Sequence, residues 1–319
     1  MLHAFTNSPI TSFNFANRTF YVKRDDLLDP RFSGNKARKL AYFLAGNHQD
    51  LNEINTVVSY GGNQSNLMYA LSSLARLKEW NFIYYTPKLS SLAKNSVTGN
   101  LKASLAKGMQ LMEVEEDFNL FSNNLLALFT QSPDKNEEAS LTIKPLVKAN
   151  QLLITQGGAQ QEAEFGIKIL AHEIETWANE NNLPELAIFI ASGTGTTAYY
   201  LQKNLSPQFK VYTTNCVGSA EYLLKQFFNL QTDNSTTLLP HILENSKFRF
   251  ATPYQELYQT ISSINEASQI EFDLVYDPVG WYILLSNISR ISAPILYLHC
   301  GGTLGNQTML NRYRYKGLL

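Results

Sequence analysis

The stretch 56–78, TVVSYGGNQSNLMYALSSLARLK, decides how this chain is built. It opens with an apolar, β-rich run at Thr56–Tyr60, breaks at Gly61-Gly62, and continues with apolar residues at three- and four-residue intervals over 67–78. Strand, glycine turn and amphipathic helix in that order form the repeating unit of a parallel α/β sheet. Similar β-rich runs recur at 81–85, 109–114, 151–155, 186–191, 211–217, 272–276 and 295–300, and helical periodicity at 36–44, 101–107, 161–177 and 220–228. The pattern predicts an α/β protein with parallel-rich sheets flanked by helices. Ligands of such sheets sit beyond the carboxyl ends of the strands, so the glycine-rich turns are the places to look for chemistry.

A chain of 319 residues exceeds the size at which one core usually keeps growing, which favours about two domains. Hydrophobic residues make up 44% and charged residues 17%, with 17 Gly and 11 Pro, a globular mix that excludes disordered and collagen-like classes. The balance of 26 basic against 27 acidic residues builds no broad positive field, so neither nucleic acid nor a membrane is expected as a partner. No stretch approaches the ~20 apolar residues of a membrane span, and the N-terminus lacks the basic start and apolar core of a secretory leader. Cys216 and Cys300 each lie in an apolar run, as reduced thiols do. The expectation is a soluble cytoplasmic protein, with exposed loops at 130–138 and 232–237 and no internal repeat.

Three segments carry polar groups in a pattern suited to a small anionic ligand. In 23–40, KRDDLLDPRFSGNKARKL, the turn Ser33-Gly34-Asn35 precedes a helix on which Lys36 and Lys39, three apart, share one side. A solvated basic face is the plain alternative for two lysines. In 59–66, SYGGNQSN, two glycines admit close backbone approach, and Gln64, Ser65 and Asn66 stand at a helix start. One of these would serve as an ordinary cap, but a cap does not need five such residues in succession. In 186–197, LAIFIASGTGTT, an apolar strand runs into glycines and hydroxyls ahead of a helix beginning near Ala198, a cradle for phosphate.

Other site types fail on particular residues. Gly193-x-Gly195-x-x-Ala198 satisfies the relaxed dinucleotide fingerprint, yet Asn215 and Cys216 stand where an acidic residue should bind the ribose. No lysine follows these glycines, so a P-loop is excluded. His172-Glu173 begins a zinc pattern, but Thr176 holds the place of its second histidine. A Gly-x-Ser-x-Gly hydrolase elbow is missing.

Together, the motifs Lys23-Arg24-Asp25-Asp26, Ser33-Gly34-Asn35-Lys36 with Arg38-Lys39-Leu40, Gly61-Gly62-x-Gln64-Ser65-Asn66 and Ser192-Gly193-Thr194-Gly195-Thr196 resemble the fold-type II pyridoxal-phosphate enzymes. Within them they are most similar to the family of 1-aminocyclopropane-1-carboxylate deaminase and D-cysteine desulfhydrase. Gly157-Gly158 resembles a further family turn, with Ala159 and Gln160 where Ser or Thr and Asn are usual. The resemblance implies a tryptophan synthase β-like pair of α/β domains, the larger from 1–45 and 161–319 and the smaller inserted at 46–160, usually assembled as a homodimer.

It also implies that pyridoxal 5′-phosphate is held as a Schiff base on Lys36, with its phosphate on Lys39, Ser192, Gly193, Thr194, Gly195 and Thr196. Asn66 would meet the ring hydroxyl, Cys300 the ring nitrogen in place of the family's threonine, and Gln64, Ser65 and Asn66 a small amino-acid substrate. The family's catalytic tyrosine is replaced by Gly280, which leaves Tyr276 and Tyr282 as candidate phenols beside Lys36 and Ser65. The expected reaction is α,β-elimination of the D-cysteine desulfhydrase kind, releasing ammonia. The alternatives are 1-aminocyclopropane-1-carboxylate deamination and a cofactor-binding protein without turnover. A Schiff base requires a deprotonated amine, and Lys39 is expected to help depress the pKa of Lys36.

Overall fold

The computed structural model describes residues 5–32, 34–45, 48, 51–95, 97–130, 145–231 and 238–319. Ser33, the loop at 232–237 and all but the first residue of the loop at 130–138 lie outside them. The chain opens with a hairpin, β1 (Ile10–Phe15) and β2 (Arg18–Arg24), then α1 (Lys36–Lys39) and α2 (Ala41–Ala45). A strand–helix run follows: β3 (Thr56–Tyr60), α3 (Asn66–Lys78), β4 (Asn81–Pro87), α4 (Ser91–Asn95), α5 (Gly99–Leu105), β5 (Gln110–Val114), α6 (Phe118–Thr130), β6 (Val147–Lys148) and β7 (Gln151–Ile154). The remainder comprises α7 (Ala163–Glu180), β8 (Leu186–Ser192), α8 (Thr196–Asn204), β9 (Phe209–Asn215), α9 (Ala220–Leu230), β10 (His241–Ile242), α10 (Gln255–Ser268), α11 (Asp277–Ser286), β11 (Ile295–His299) and α12 (Asn306–Tyr315).

These strands form two sheets. One has the order β5-β4-β3-β7-β6 and comes wholly from 81–154 and the strand before it; the other, β1-β2-β11-β8-β9-β10, is drawn from both flanking parts of the chain. Among the described residues only the β1–β2 and β6–β7 pairs are antiparallel. Strand β3 (TVVSY) is buried throughout and β8 (LAIFIAS) at all but one residue, as strands covered on both faces are. Ser65 and Ser219 start α3 and α9 by accepting hydrogen bonds from Met68 and Tyr222 amides, at 3.3 and 3.2 Å. Gly166 on α7 lies where a Cβ would stand 2.1 Å from the Arg38 carbonyl oxygen, so α1 packs backbone-close against α7.

The expected helix at 36–44 is interrupted at Leu40, and the expected strand at 272–276 is not a strand. Asp273 is the reason for the second difference. Its Oδ1 accepts from the amides of Val275 at 2.7 Å and Tyr276 at 2.6 Å, which turns the chain into α11. The apolar residues that suggested a strand are used individually: Phe272 packs edge-on against Trp281 and Tyr297. Both cysteines are free thiols. Among the described residues no helix is long and apolar enough to cross a membrane, and no group of His, Cys, Asp and Glu could hold a metal ion.

Candidate active site

Loops at the carboxyl ends of β3, β7, β8 and β11 converge, two from each sheet, and contacts at their glycines show how closely. A Cβ on Gly157 would stand 2.6 Å from Thr194, one on Gly302 2.4 Å from Asn66 Nδ2, and one on Gly34 2.2 Å from the Cys300 carbonyl oxygen. The three motifs therefore meet the Gly157-Gly158 turn and the Cys300-Gly301-Gly302 turn in one place. Asn215, the residue at the dinucleotide ribose position, is committed elsewhere: its Nδ2 donates to the Gly218 and Asn245 carbonyls at 2.9 and 3.0 Å.

Lys36 and Lys39 project from α1 into this junction. Lys36 Nζ donates to Asn35 Oδ1 at 2.7 Å, and Asn35 Nδ2 reaches Thr197 Oγ1 at 3.4 Å. Lys39 Nζ donates to the Gly157 carbonyl at 2.8 Å. Desolvation holds the Lys36 amine below the ordinary lysine range, against the opposing pull of Cys300 and Asp273. Desolvation, and then repulsion from Lys36, lower Lys39 well below its usual value. Burial is the largest cause of the depression at both amines.

The loop after β8 is built to receive an anion. Gly195 takes the left-handed φ of +70° at the start of α8, and no side chain caps that helix. Thr196 and Thr197 are buried there, Thr194 and Thr196 hydroxyls lie 2.9 Å apart, and Ser192 Oγ accepts from Thr213 Oγ1 at 2.7 Å. An uncapped helix start ringed by hydroxyls and faced by two amines fits a phosphate monoester on a small aldehyde cofactor. Cys300 donates its Sγ–H to the Leu298 carbonyl at 3.6 Å, and burial pushes its thiol up and keeps it neutral.

The residues expected at the substrate differ in how free they are. Ser65 Oγ caps α3, and Tyr84, absent from the sequence reading, sits beside it and donates to the Gly62 carbonyl at 3.1 Å. Both ends of the Gln64 amide are engaged by the start of α5: Nε2 donates to Thr98 O at 3.1 Å and Oε1 accepts from the Asn100 amide at 3.1 Å. Asn66 Oδ1 accepts from Asn100 Nδ2 at 2.8 Å. No motif signals Asn100 or Tyr84; each becomes visible only when the chain is folded.

Of the two candidate phenols, Tyr276 is at the junction. Its ring lies 3.2 Å from the position of a Cβ on Gly193, and burial, then Asp273, raises its pKa so that it stays protonated. Tyr282 lies on another side of α11, packed edge-on to Phe248, with its hydroxyl accepting from exposed Lys247 at 3.4 Å.

Beneath α1, a buried charge cluster fixes the lysines' helix. Arg38 donates to Asp25 at 2.8 Å and to Glu173 at 2.6 Å, and Lys23 pairs with Glu173 at 2.8 Å. Glu173, which suggested half a zinc motif, is thus an ion-pair partner. On the other side His299 Nδ1 faces Asp277 at 3.4 Å; burial lowers its pKa but Asp277 and Asp26 outweigh that and leave it raised.

This architecture is the fold of the fold-type II pyridoxal-phosphate enzymes. A crystal structure described as an ACC deaminase homologue superimposes with a TM-score of 0.69 over 96% of this chain and 94% of that one, at 19% identity. No family model matches the chain. Its similarity to the 1-aminocyclopropane-1-carboxylate deaminase and D-cysteine desulfhydrase family runs along most of its length. The Arabidopsis thaliana mitochondrial bifunctional D-cysteine desulfhydrase/1-aminocyclopropane-1-carboxylate deaminase is 25% identical over 308 residues, 89% of this chain and 72% of that protein. The D-cysteine desulfhydrase of Serratia proteamaculans is 22% identical over 307 residues, 91% of this chain and 88% of that protein.

Proposed function

We propose that this chain is a pyridoxal-phosphate-dependent lyase that eliminates a β-substituent and ammonia from a small amino acid, with D-cysteine as the type substrate. The observation that carries the reading is the pair of desolvated amines, Lys36 and Lys39, linked to the uncapped start of α8 through Asn35 and through Gly157. Lys36 carries the cofactor; Lys39, Ser192, Gly193, Thr194, Gly195 and Thr196 bind its phosphate, Asn66 its ring hydroxyl, and Cys300 its ring nitrogen. When bound, the cofactor supplies an electron sink for the charge left at the substrate α-carbon.

The chain's own groups do the rest. Ser65, at the amino end of α3, orients the substrate carboxylate, which the helix start favours. The Lys36 amine would remove the α-proton, and its desolvated site favours the basic form. The β-substituent departs with its electron pair, and Tyr276, a protonated phenol at the junction, can supply it a proton. D-cysteine would yield hydrogen sulfide and, with water, pyruvate and ammonia. Gln64 acts through α5 and Tyr282 is not needed. On the same reading the enzyme is a cytoplasmic homodimer whose smaller domain spans 46–160.

The test compares sulfide and pyruvate release from D- and L-cysteine with α-ketobutyrate release from 1-aminocyclopropane-1-carboxylate. Sulfide and pyruvate in equal amounts from D-cysteine support the proposal. Turnover of the cyclopropane substrate alone, or none on any amino acid with cofactor bound, contradicts it.

A further inference from the structure

We propose that Asn100 is a positioning residue that sets which end of the Asn66 amide faces the cofactor ring. The inference rests on the cofactor reading above and goes beyond it to a residue outside every motif. Asn100 is fully buried in α5, and its Nδ2 donates twice, to the Gln64 carbonyl at 2.9 Å and to Asn66 Oδ1 at 2.8 Å. The first acceptor is backbone and cannot be exchanged for a donor. It therefore fixes the Asn100 amide with its nitrogen toward the loop, and a nitrogen there demands an oxygen from Asn66. Among the described residues Asn100 Oδ1 is buried without a partner, so no competing bond there holds the amide the other way.

The consequence reaches the junction. With its oxygen held by Asn100, Asn66 turns Nδ2 outward to within 2.4 Å of where a Cβ on Gly302 would stand, beside the loop after β11. Gln64 locks the arrangement from the other side, bridging Thr98 O and the Asn100 amide. Gly99 is what allows α5 so close: its φ is +57°, and a Cβ there would lie 2.7 Å from Gln64 Oε1. Asn100 thus makes Asn66 a donor, suited to an anionic ring oxygen. If the amide turned, it would offer that oxygen a second acceptor.

The readout is the acid–base midpoint of the bound cofactor's visible absorption, which reports the proton shared by the Lys36 nitrogen and the ring oxygen. A donor on the ring oxygen weakens its hold on that proton, so losing the donor moves the midpoint up. Wild type, Asn100→Asp, Asn100→Leu and the control Thr308→Val, which removes a hydroxyl 3.3 Å from Thr98 Oγ1 beside the same helix start, are loaded with pyridoxal phosphate and titrated, with far-UV circular dichroism confirming the fold. Midpoints raised by about one pH unit in both Asn100 variants, and unchanged in Thr308→Val, support the proposal. Unshifted midpoints in folded, loaded Asn100 variants overturn it; if one variant fails to fold, the other decides. A wild type that takes up no cofactor sinks the underlying reading, and with it this inference, whereas a loaded wild type with unshifted variants sinks this inference alone.

Discussion

Gly280 and Tyr297 share one volume: a Cβ on Gly280 would stand 2.6 Å from Tyr297 Oη and 3.0 Å from Ala191 Cβ. The residue at 280, where the family has a tyrosine, therefore faces buried β11, and a phenol arriving from that strand fills the space. Tyr297 cannot yield, since it donates to Asp277 at 2.8 Å and stacks on Trp281 at 4.2 Å between ring centroids. Gly280→Ala should destabilise the protein by about 1–3 kcal/mol through overpacking, despite the better helix propensity of alanine. In a Tyr297→Phe background that cost should fall, leaving the part due to the 3.0 Å approach to Ala191 Cβ. A double-mutant cycle by urea unfolding measures it, and equal costs in both backgrounds would show that the two residues do not compete.

Arg38 should be among the most damaging surface-distant substitutions. Arg38→Met leaves Asp25 and Glu173 without their shared guanidinium in a buried site, which should cost about 3–5 kcal/mol. The pH dependence follows from Glu173: burial raises its pKa, but Arg38 and Lys23 more than compensate and hold it below the ordinary carboxylate value. A carboxylate with a depressed folded-state pKa contributes stability above its unfolded value of about 4.5 and loses it as pH falls through the folded one. Glu173→Gln should therefore flatten the acid limb of the stability–pH curve. An unchanged limb, measured by urea midpoints from neutral pH downward, would remove Glu173 from that role.

The two phenols should separate cleanly in kinetics. Tyr276→Phe removes a protonated hydroxyl at the junction and is expected to lower kcat on D-cysteine roughly 100-fold. Tyr282→Phe, which alters only a contact to exposed Lys247, should stay within about twofold of wild type. The reverse ranking would move the proton donor to the other side of α11.

The parallel architecture was legible because each buried strand is a short apolar run ending in a glycine turn, with a periodic helix behind it. The hairpin β1–β2 was not, since its alternation is brief and its two-residue turn is Ala16-Asn17, with no glycine to mark it. Asp273 shows why 272–276 misled: its β-rich residues are apolar for packing, while one carboxylate redirects the backbone. At the site, Lys36, Lys39, Asn66 and the loop after β8 could be found by their spacing around glycines. Asn100, Tyr84 and the Arg38–Glu173 pair could not, because their meaning lies in partners 34, 22 and 135 residues away in the chain.

The central claim is that Lys36 is the amine that carries the cofactor. Loading with pyridoxal phosphate, reduction with borohydride and peptide mapping by mass spectrometry test it in one measurement. A single pyridoxyl adduct is expected on Lys36, lost in Lys36→Ala. An adduct on Lys39, or none on either lysine of α1, would contradict it.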